Sequence, residues 1–382
     1  MIYVHIPFCR SFCTYCDFYS EVAAKCRGAE DAARQNELFM KFADALTAEV
    51  KERGHEITEE PDTLYIGGGT PSVLPLCVFR KLLAALEEVG HGGPYAEFTV
   101  EVNPEDIVEK GEEYVKGLMD LGVNRISMGV QSFDGGILKF MNRRHDAAVA
   151  RKAYSILEDS GIGNISIDLI FGLPQLSDEQ WRNTLKSALE ISPYGKKPQH
   201  ISAYQLSVEP GSMLAEMVRQ GRFEEASDEL CEHQYSILCE VLADAGYRHY
   251  EISNFALPGY EAKHNSGYWR HIPYVGFGPG AHSFTADRMR CWNRPDLKAY
   301  MASPLSVRES ETLDDGQMAL EKIMLGLRTS DGVDAGFIEE NCDMEAVSRA
   351  LQACYLVTLA DGNLRIPENR FFISDRIIAD IV

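Results

Sequence analysis

The chain is short of positive charge. Lys and Arg number 37 against 58 Asp and Glu, a formal net charge of −21 over 382 residues. No block of Lys and Arg offers a track for a phosphate backbone, which argues against nucleic acid as a partner. Long apolar runs are missing as well: none approaches the ~18 residues that a membrane-crossing helix needs. Nor does a basic start with a cleavable apolar stretch precede Cys9, and the expectation is a cytoplasmic protein. A pairing pattern is absent from most of the ten cysteines. Cys26, Cys77, Cys231, Cys239, Cys291, Cys342 and Cys354 are scattered, as reduced thiols of a cytosolic protein are and a disulfide framework is not. Cys231 and Cys239 fall on a helix-like stretch and read as packing residues. There is no internal repeat and no low-complexity linker.

The remaining three cysteines are concentrated. Cys9, Cys13 and Cys16 form a Cys-x3-Cys-x2-Cys run directly after an apolar segment, Met1 to Ile6, that reads as a strand ended by Pro7. Three thiolates on one loop suit a four-iron cluster, with three irons held by protein and the fourth open to a further ligand. Clustered cysteines also make structural zinc sites, and His5 is the nearest candidate for a fourth ligand. Zinc motifs, however, supply their ligands as two separated pairs.

Beyond the loop the sequence alternates. Strand candidates are Thr63 to Ile66, Glu97 to Val102, Arg125 to Val130, Ile165 to Ile170 and His200 to Leu206. Between them lie helix candidates at Asn36 to Arg53, at a segment holding Leu82, Leu83 and Leu86 with Ser72 as its cap, and at Gly111 to Leu121, Asp146 to Ser160 and Asp178 to Ile191. With Met1 to Ile6 this makes six strands, and the alternation implies a parallel sheet with right-handed crossovers. Pattern alone leaves an open sheet and a barrel equally available. Ser227 to Ala245 reads as an amphipathic helix ended by Gly246, and Tyr247 to Ile252 as extended. A glycine-rich piece, Gly276 to Phe284, is expected to cover the open side of a barrel. From Leu313 onward a helix at Gln317 to Leu327 and an Asp361-Gly362 hairpin signal suggest a small α+β, winged-helix-like domain.

The Cys-x3-Cys-x2-Cys run resembles the signature of the radical S-adenosylmethionine (SAM) superfamily. His-Ile-Pro-Phe-Cys9, Gly67-Gly-Gly-Thr-Pro71, Met128-Gly-Val-Gln131 and Asp168-Leu-Ile-Phe-Gly-Leu-Pro174 resemble in order the branch that contains the oxygen-independent coproporphyrinogen III oxidases. The resemblance implies a partial (β/α)6 TIM-like barrel with its site at the C-terminal strand ends, a 4Fe-4S cluster on Cys9, Cys13 and Cys16, and SAM on the open iron. It implies a SAM site of Tyr3, Gly68, Gly69, Thr70, Glu101, Gln131, Arg143 and Asp168, with Ser207 and His282 adding backbone contacts. Divisions are expected at 1–210 for the barrel, 211–305 for an extension and 306–382 for the small domain.

Within the branch two functions compete. The oxidases look like Cys-x3-Cys-x2-Cys-x-Cys with a long N-terminal extension, whereas Phe18 stands at the fourth cysteine position and the motif begins at Tyr3; both features argue against oxidative decarboxylation of a porphyrinogen. His264-Asn265-x-x-Tyr268-Trp269 resembles instead the HNxxYW signature of the HemW-type haem chaperones. That resemblance implies haem as a third bound group, with His264 as its axial ligand and the aromatics stacking on the porphyrin. It also implies a haem-accepting protein as partner, transient contact with membrane proteins, and an electron donor of flavodoxin type.

Overall fold

The computed structural model describes residues 1–23 and 29–382; Cys26 lies outside the described residues. Nine strands form the main sheet: β1 (Ile2–Ile6), β2 (Thr63–Gly68), β3 (Glu97–Val102), β4 (Arg125–Gln131), β5 (Ile165–Phe171), β6 (His200–Gln205), β7 (Arg248–Glu251), β8 (Asn254–Ala256) and β9 (Val275–Phe277). Their hydrogen-bonded order is β9-β1-β2-β3-β4-β5-β6-β8-β7. From β9 through β6 every neighbouring pair is parallel, while β8 runs antiparallel to both β6 and β7. Six parallel strands in sequence order form the partial barrel, and β9 is laid along its first edge.

Side chains alternate along these strands with a period of two. Ile2, Val4 and Ile6, Leu64 and Ile66, Val100 and Val102, Ile126 and Met128, and Ile165 and Ile167 are buried on one face. That apolar face packs under the helices and is the larger source of stability, at roughly 25 cal/mol per Å² of apolar area removed from water. The intervening residues are polar: Tyr3 and His5, Tyr65, Thr99 and Glu101, Arg125 and Ser127, Asp168, and Ser202. Period two therefore turns these toward the barrel interior, which makes the inside of the barrel a chemical surface rather than a core.

The covering helices are α1 (Ala29–Arg53), α2 (Leu76–Glu88), α3 (Pro104–Asp120), α4 (Gly135–Phe140), α5 (Ala147–Asp159) and α6 (Asp178–Leu189). Asp146 caps α5 through Val149 N, and Ser177 caps α6 in a capping box with Gln180. Three boundaries differ from the sequence reading. Helix α1 begins seven residues before Asn36. Helix α3 opens at Pro104, a residue suited to the first helical position, and Gly111 is a break inside it, with φ 71°. Ser72 caps nothing: it sits in a short 3-10 turn, donates to Asp106 at 2.7 Å and accepts from Asn103 N at 3.1 Å, while α2 starts after Pro75.

After α7 (Met213–Arg219) and α8 (Asp228–Asp244, capped by Ser227), the HNxxYW segment forms α9 (Lys263–Trp269). A three-stranded antiparallel sheet of His282–Phe284, Met289–Asn293 and Arg308–Thr312 follows, and it spans the division expected at 305/306. The chain ends in helices Asp315–Gly326, Ala335–Asn341 and Met344–Gln352, a two-stranded hairpin round Asp361-Gly362, and a last helix, Ser374–Ile381. Glu49 locks α1 to the later segment. Fully buried, it pairs with Arg53 and accepts from Gly278 N at 2.9 Å, Asn293 Nδ2 at 2.7 Å and Tyr300 OH at 2.6 Å. Among the described residues no helix is long and apolar enough to cross a membrane.

Candidate functional site

A cavity of about 860 Å³ opens at the C-terminal ends of the barrel strands. The cysteine loop forms one wall, with Cys9, Cys13 and Cys16 lining it. The glycine turn after β2 forms the next. Gly69 N donates to Ile6 O at 2.8 Å and Thr70 N to Phe8 O at 2.7 Å, so the turn is stitched to the base of the cysteine loop. Only glycine fits here: a Cβ on Gly69 would stand 2.7 Å from Phe8 O, and Gly68 has φ +106° with its Cβ direction blocked by the His5 ring. Cys9 Sγ lies 3.4 Å from Thr70 Oγ1.

The polar barrel face supplies the rest. Glu101 accepts from Tyr65 OH at 2.7 Å and from Gly68 N at 3.1 Å. Burial, with Asp168 adding to it, pushes its carboxyl up to about 7. Asp168 accepts from Ser127 Oγ at 3.1 Å and is likewise raised by burial. Arg143 donates to Cys13 Sγ at 3.3 Å, to Asn103 Oδ1 at 2.7 Å and to Gly129 O at 2.6 Å, while its buried Nε has no partner. Gln131 ends β4 at an irregularity that shifts the register between Gly129 and Gln131, and its φ is +66°. A bulge of this kind re-aims a side chain at a strand end, here into the cavity.

The structure thus brings Gly68, Gly69, Thr70, Glu101, Gln131, Arg143, Asp168 and Ser207 round the same cavity as the three cysteines. Three expected residues are elsewhere. Tyr3, on the inward face of β1, does not line the cavity: its OH is 3.1 Å from His5 Nδ1 and its ring packs beside Tyr65, which does. His282 is on the outer three-stranded sheet, exposed and stacked on Trp292. His264 is fully buried, with Nδ1 2.8 Å from Thr63 Oγ1 and Nε2 2.9 Å from Tyr268 OH, and burial lowers its pKa to about 3. Both ring nitrogens are thus engaged by hydroxyl groups, so in this structure His264, the axial ligand that the motif suggested, is an internal hydrogen-bonding residue. The motif is instead the plug of the barrel: Lys263 N and His264 N donate to the buried Glu97 carboxylate at 2.8 and 3.0 Å. His264→Ala should then cost about 2–3 kcal/mol of stability by leaving Thr63 and Tyr268 unpaired, with little change in the haem spectrum of the folded protein. Chemical denaturation and a haem titration check the two halves.

The donor set also discriminates between metals. Among the described residues no three His, Cys, Asp or Glu side chains stand close enough to share one ion. His5, the zinc alternative, uses Nε2 on Tyr19 O at 2.8 Å and Nδ1 on Tyr3 OH. Three thiols spread round one cavity fit a larger cluster, in which each sulfur holds a different iron. Burial pushes Cys9 up and Cys16 up to about 12, so these groups need a bound cationic centre to persist as thiolates. Phe18, at the fourth cysteine position, lies at the cavity rim, 66% exposed, and offers no ligand atom.

Comparison with known proteins agrees with this geometry. Residues 3–188 match the Radical SAM superfamily. The chain is 36% identical over 333 residues to the Heme chaperone HemW of Lactococcus lactis subsp. lactis (strain IL1403), covering 87% of this chain and 82% of that one. The chain belongs to the HemW family of radical SAM proteins. Heme chaperone HemW of Synechocystis sp. is 33% identical, with 87% and 78% covered. Among solved structures, the coproporphyrinogen III oxidase HemN of Escherichia coli superposes with a TM-score of 0.79 over 99% of this chain and 89% of its own, at 21% identity. The fold of the HemW family member is therefore that of the oxidase, and the fold does not separate the two functions.

Sequence reasoning missed several cavity residues. Tyr65, Asn103, Arg125, Ser127 and Ser202 line the cavity, and all but Asn103 stand at alternate positions in strands whose intervening residues are apolar. That alternation was available in the sequence as a signal. Asn265 also faces this cavity, while Trp269, on the same short helix, lines a second cavity of about 1120 Å³ at the opposite end of the barrel.

Proposed function

We propose that this protein binds haem and passes it to a haem protein, with a 4Fe-4S cluster on Cys9, Cys13 and Cys16 and SAM beside it. The observation that carries the choice of chaperone is the likeness along 87% of the chain to proteins named as haem chaperones, in company with Phe18 at the cavity rim where the oxidase pattern has a fourth cysteine. Cys9, Cys13 and Cys16 would hold the cluster, which would supply one-electron reduction of the SAM sulfonium when bound. The chain's own residues do the rest. Arg143 places a fixed positive charge against Cys13 and braces it through Asn103. The glycine turn lets backbone approach where a side chain would collide. Glu101 and Asp168, on the polar barrel face that lines the cavity, are suited to receive an ammonium and ribose hydroxyls. A flavodoxin-type reductant and a haem-accepting protein complete the expected partners.

The test is transfer. Haem-loaded protein mixed with an apo haem protein should convert the acceptor's Soret spectrum to that of its holo form. Multiple-turnover release of carbon dioxide from coproporphyrinogen III, with cluster, SAM and reductant present, would instead establish the oxidase reading.

Glu101 gives a pH dependence. Its carboxyl has a folded pKa of about 7 against an ordinary 4.5, so it carries a proton below neutrality. A cationic ammonium group binds the ionised form better, so SAM affinity should rise as pH climbs through 7 and level off above it. Glu101→Gln should flatten that profile and weaken binding, as read by calorimetry between pH 6 and 8.

A further inference from the structure

Arg125 is the buried cation that the site has not yet used. It opens β4, at the end of the barrel remote from the cysteines, is 1% exposed and lines the cavity. Its Nε has no partner, and its guanidinium makes no hydrogen bond or ion pair with any described residue. The other buried arginines are held: Arg53 pairs with Glu49 and Glu56, and Arg143 donates to Asn103 and Gly129. A guanidinium 1% exposed, with a buried Nε that has no acceptor and no protein partner elsewhere, faces the cavity as a donor that a bound anion would complete.

The nearby carboxyls do not complete it. Glu101 and Asp168 share the cavity and feel its charge, yet neither is within ion-pair distance of it, and each carboxylate is already held by other donors, Glu101 by Tyr65 and Gly68 N and Asp168 by Ser127. Six residue steps separate Arg125 from Gln131 along β4, roughly 20 Å at about 3.3 Å per residue. The floor around it is polar, with Tyr65, Ser127 and Ser202 beside it on the cavity wall.

We propose that the floor of the barrel cavity binds a carboxylate group, received by the two-pronged donor face of Arg125. Five N–H groups in a planar fork match a carboxylate better than any other common anion save phosphate. Where the ligand is haem, the carboxylate is a propionate, an assignment that rests on the haem reading above. A free small carboxylate presents the same chemistry.

The two sources separate in one experiment. Cluster-loaded wild type, Arg125→Gln and Arg125→Lys are titrated with ferric haem, with haem dimethyl ester and with succinate. If a propionate reaches the floor, wild type prefers haem over its ester by about tenfold; Arg125→Gln binds the two alike, and Arg125→Lys keeps part of the preference. If a free anion occupies the floor, wild type treats acid and ester alike but binds succinate, and Arg125→Gln does not. Wild type showing neither the preference nor succinate binding overturns the proposal and leaves Arg125 as a counter-charge for Glu101 and Asp168. Those wild-type comparisons stand even where a variant does not fold. Absence of haem binding to wild type would sink the haem reading alone, since the succinate titration still decides the floor site.

Discussion

Cys13→Ala is expected to lose the cluster and keep the fold. In the proposed cluster each protein thiolate would hold one iron, and three are the fewest that would leave a single iron open, so removing one should drop iron and sulfide from about four per chain to a small residue. The fold should persist because the cysteines are not part of the packed interior: all three are only partly buried, on a loop outside the nine-stranded sheet. Cys13 is the most informative of the three because Arg143 donates to its sulfur, so the variant leaves a buried guanidinium short of an acceptor as well as an iron short of a ligand. Cys9→Ala and Cys16→Ala should behave alike. Iron and sulfide analysis of anaerobically reconstituted protein reads the result, with circular dichroism for the fold. Four irons retained in Cys13→Ala would remove the cluster assignment.

Glu49→Ala should produce the largest loss of stability, about 3–5 kcal/mol. The carboxylate is fully buried and satisfies four donors, from Arg53, Gly278, Asn293 and Tyr300, which come from both ends of the chain. Truncation would strand the Arg53 charge with Glu56 as its remaining acidic partner and leave Gly278 N unpaired at the point where β9 finishes. Glu49→Gln, which keeps the shape and one acceptor oxygen, should lose less than half as much. Urea denaturation compares the three proteins. Equal losses for Ala and Gln would assign the effect to charge alone; a loss below 1 kcal/mol in Glu49→Ala would show that water or a neighbouring group replaces the carboxylate.

Alternation made most of the fold legible. Six strands separated by amphipathic stretches specify a parallel sheet, and the structure places all six in sequence order. Barrel closure was not legible from pattern, because curvature depends on how strands twist and stagger, which hydrophobic period does not record. Local chemistry explains the misplaced boundaries: Pro104 starts a helix as readily as it ends one, and a serine before an apolar run can serve a neighbouring carboxylate, as Ser72 serves Asp106. The cysteine loop was visible because its spacing is specific. His264 is ambiguous in the sequence because histidine is both a ligand and a good internal hydrogen-bonding residue, and its Thr63 and Tyr268 neighbours come from three-dimensional structure that spacing does not record. Arg125 escaped notice because one arginine at a strand start is unremarkable until burial is known.

The placement of β9 has a consequence for how the protein is made. Strand β1, which leads into the cysteine loop, has β2 on one side and β9 on the other, with Ile2 opposite both Leu64 and Val275. Ribosomes add roughly 5–20 residues per second. The first side of β1 is therefore covered within seconds of its synthesis, whereas the second waits for a strand made some tens of seconds later, after the rest of the barrel has left the ribosome. Through that interval the three thiols sit beside an open sheet edge, accessible to iron delivery and to oxygen alike, and arrival of β9 with its Glu49 contact ends both forms of access along that edge.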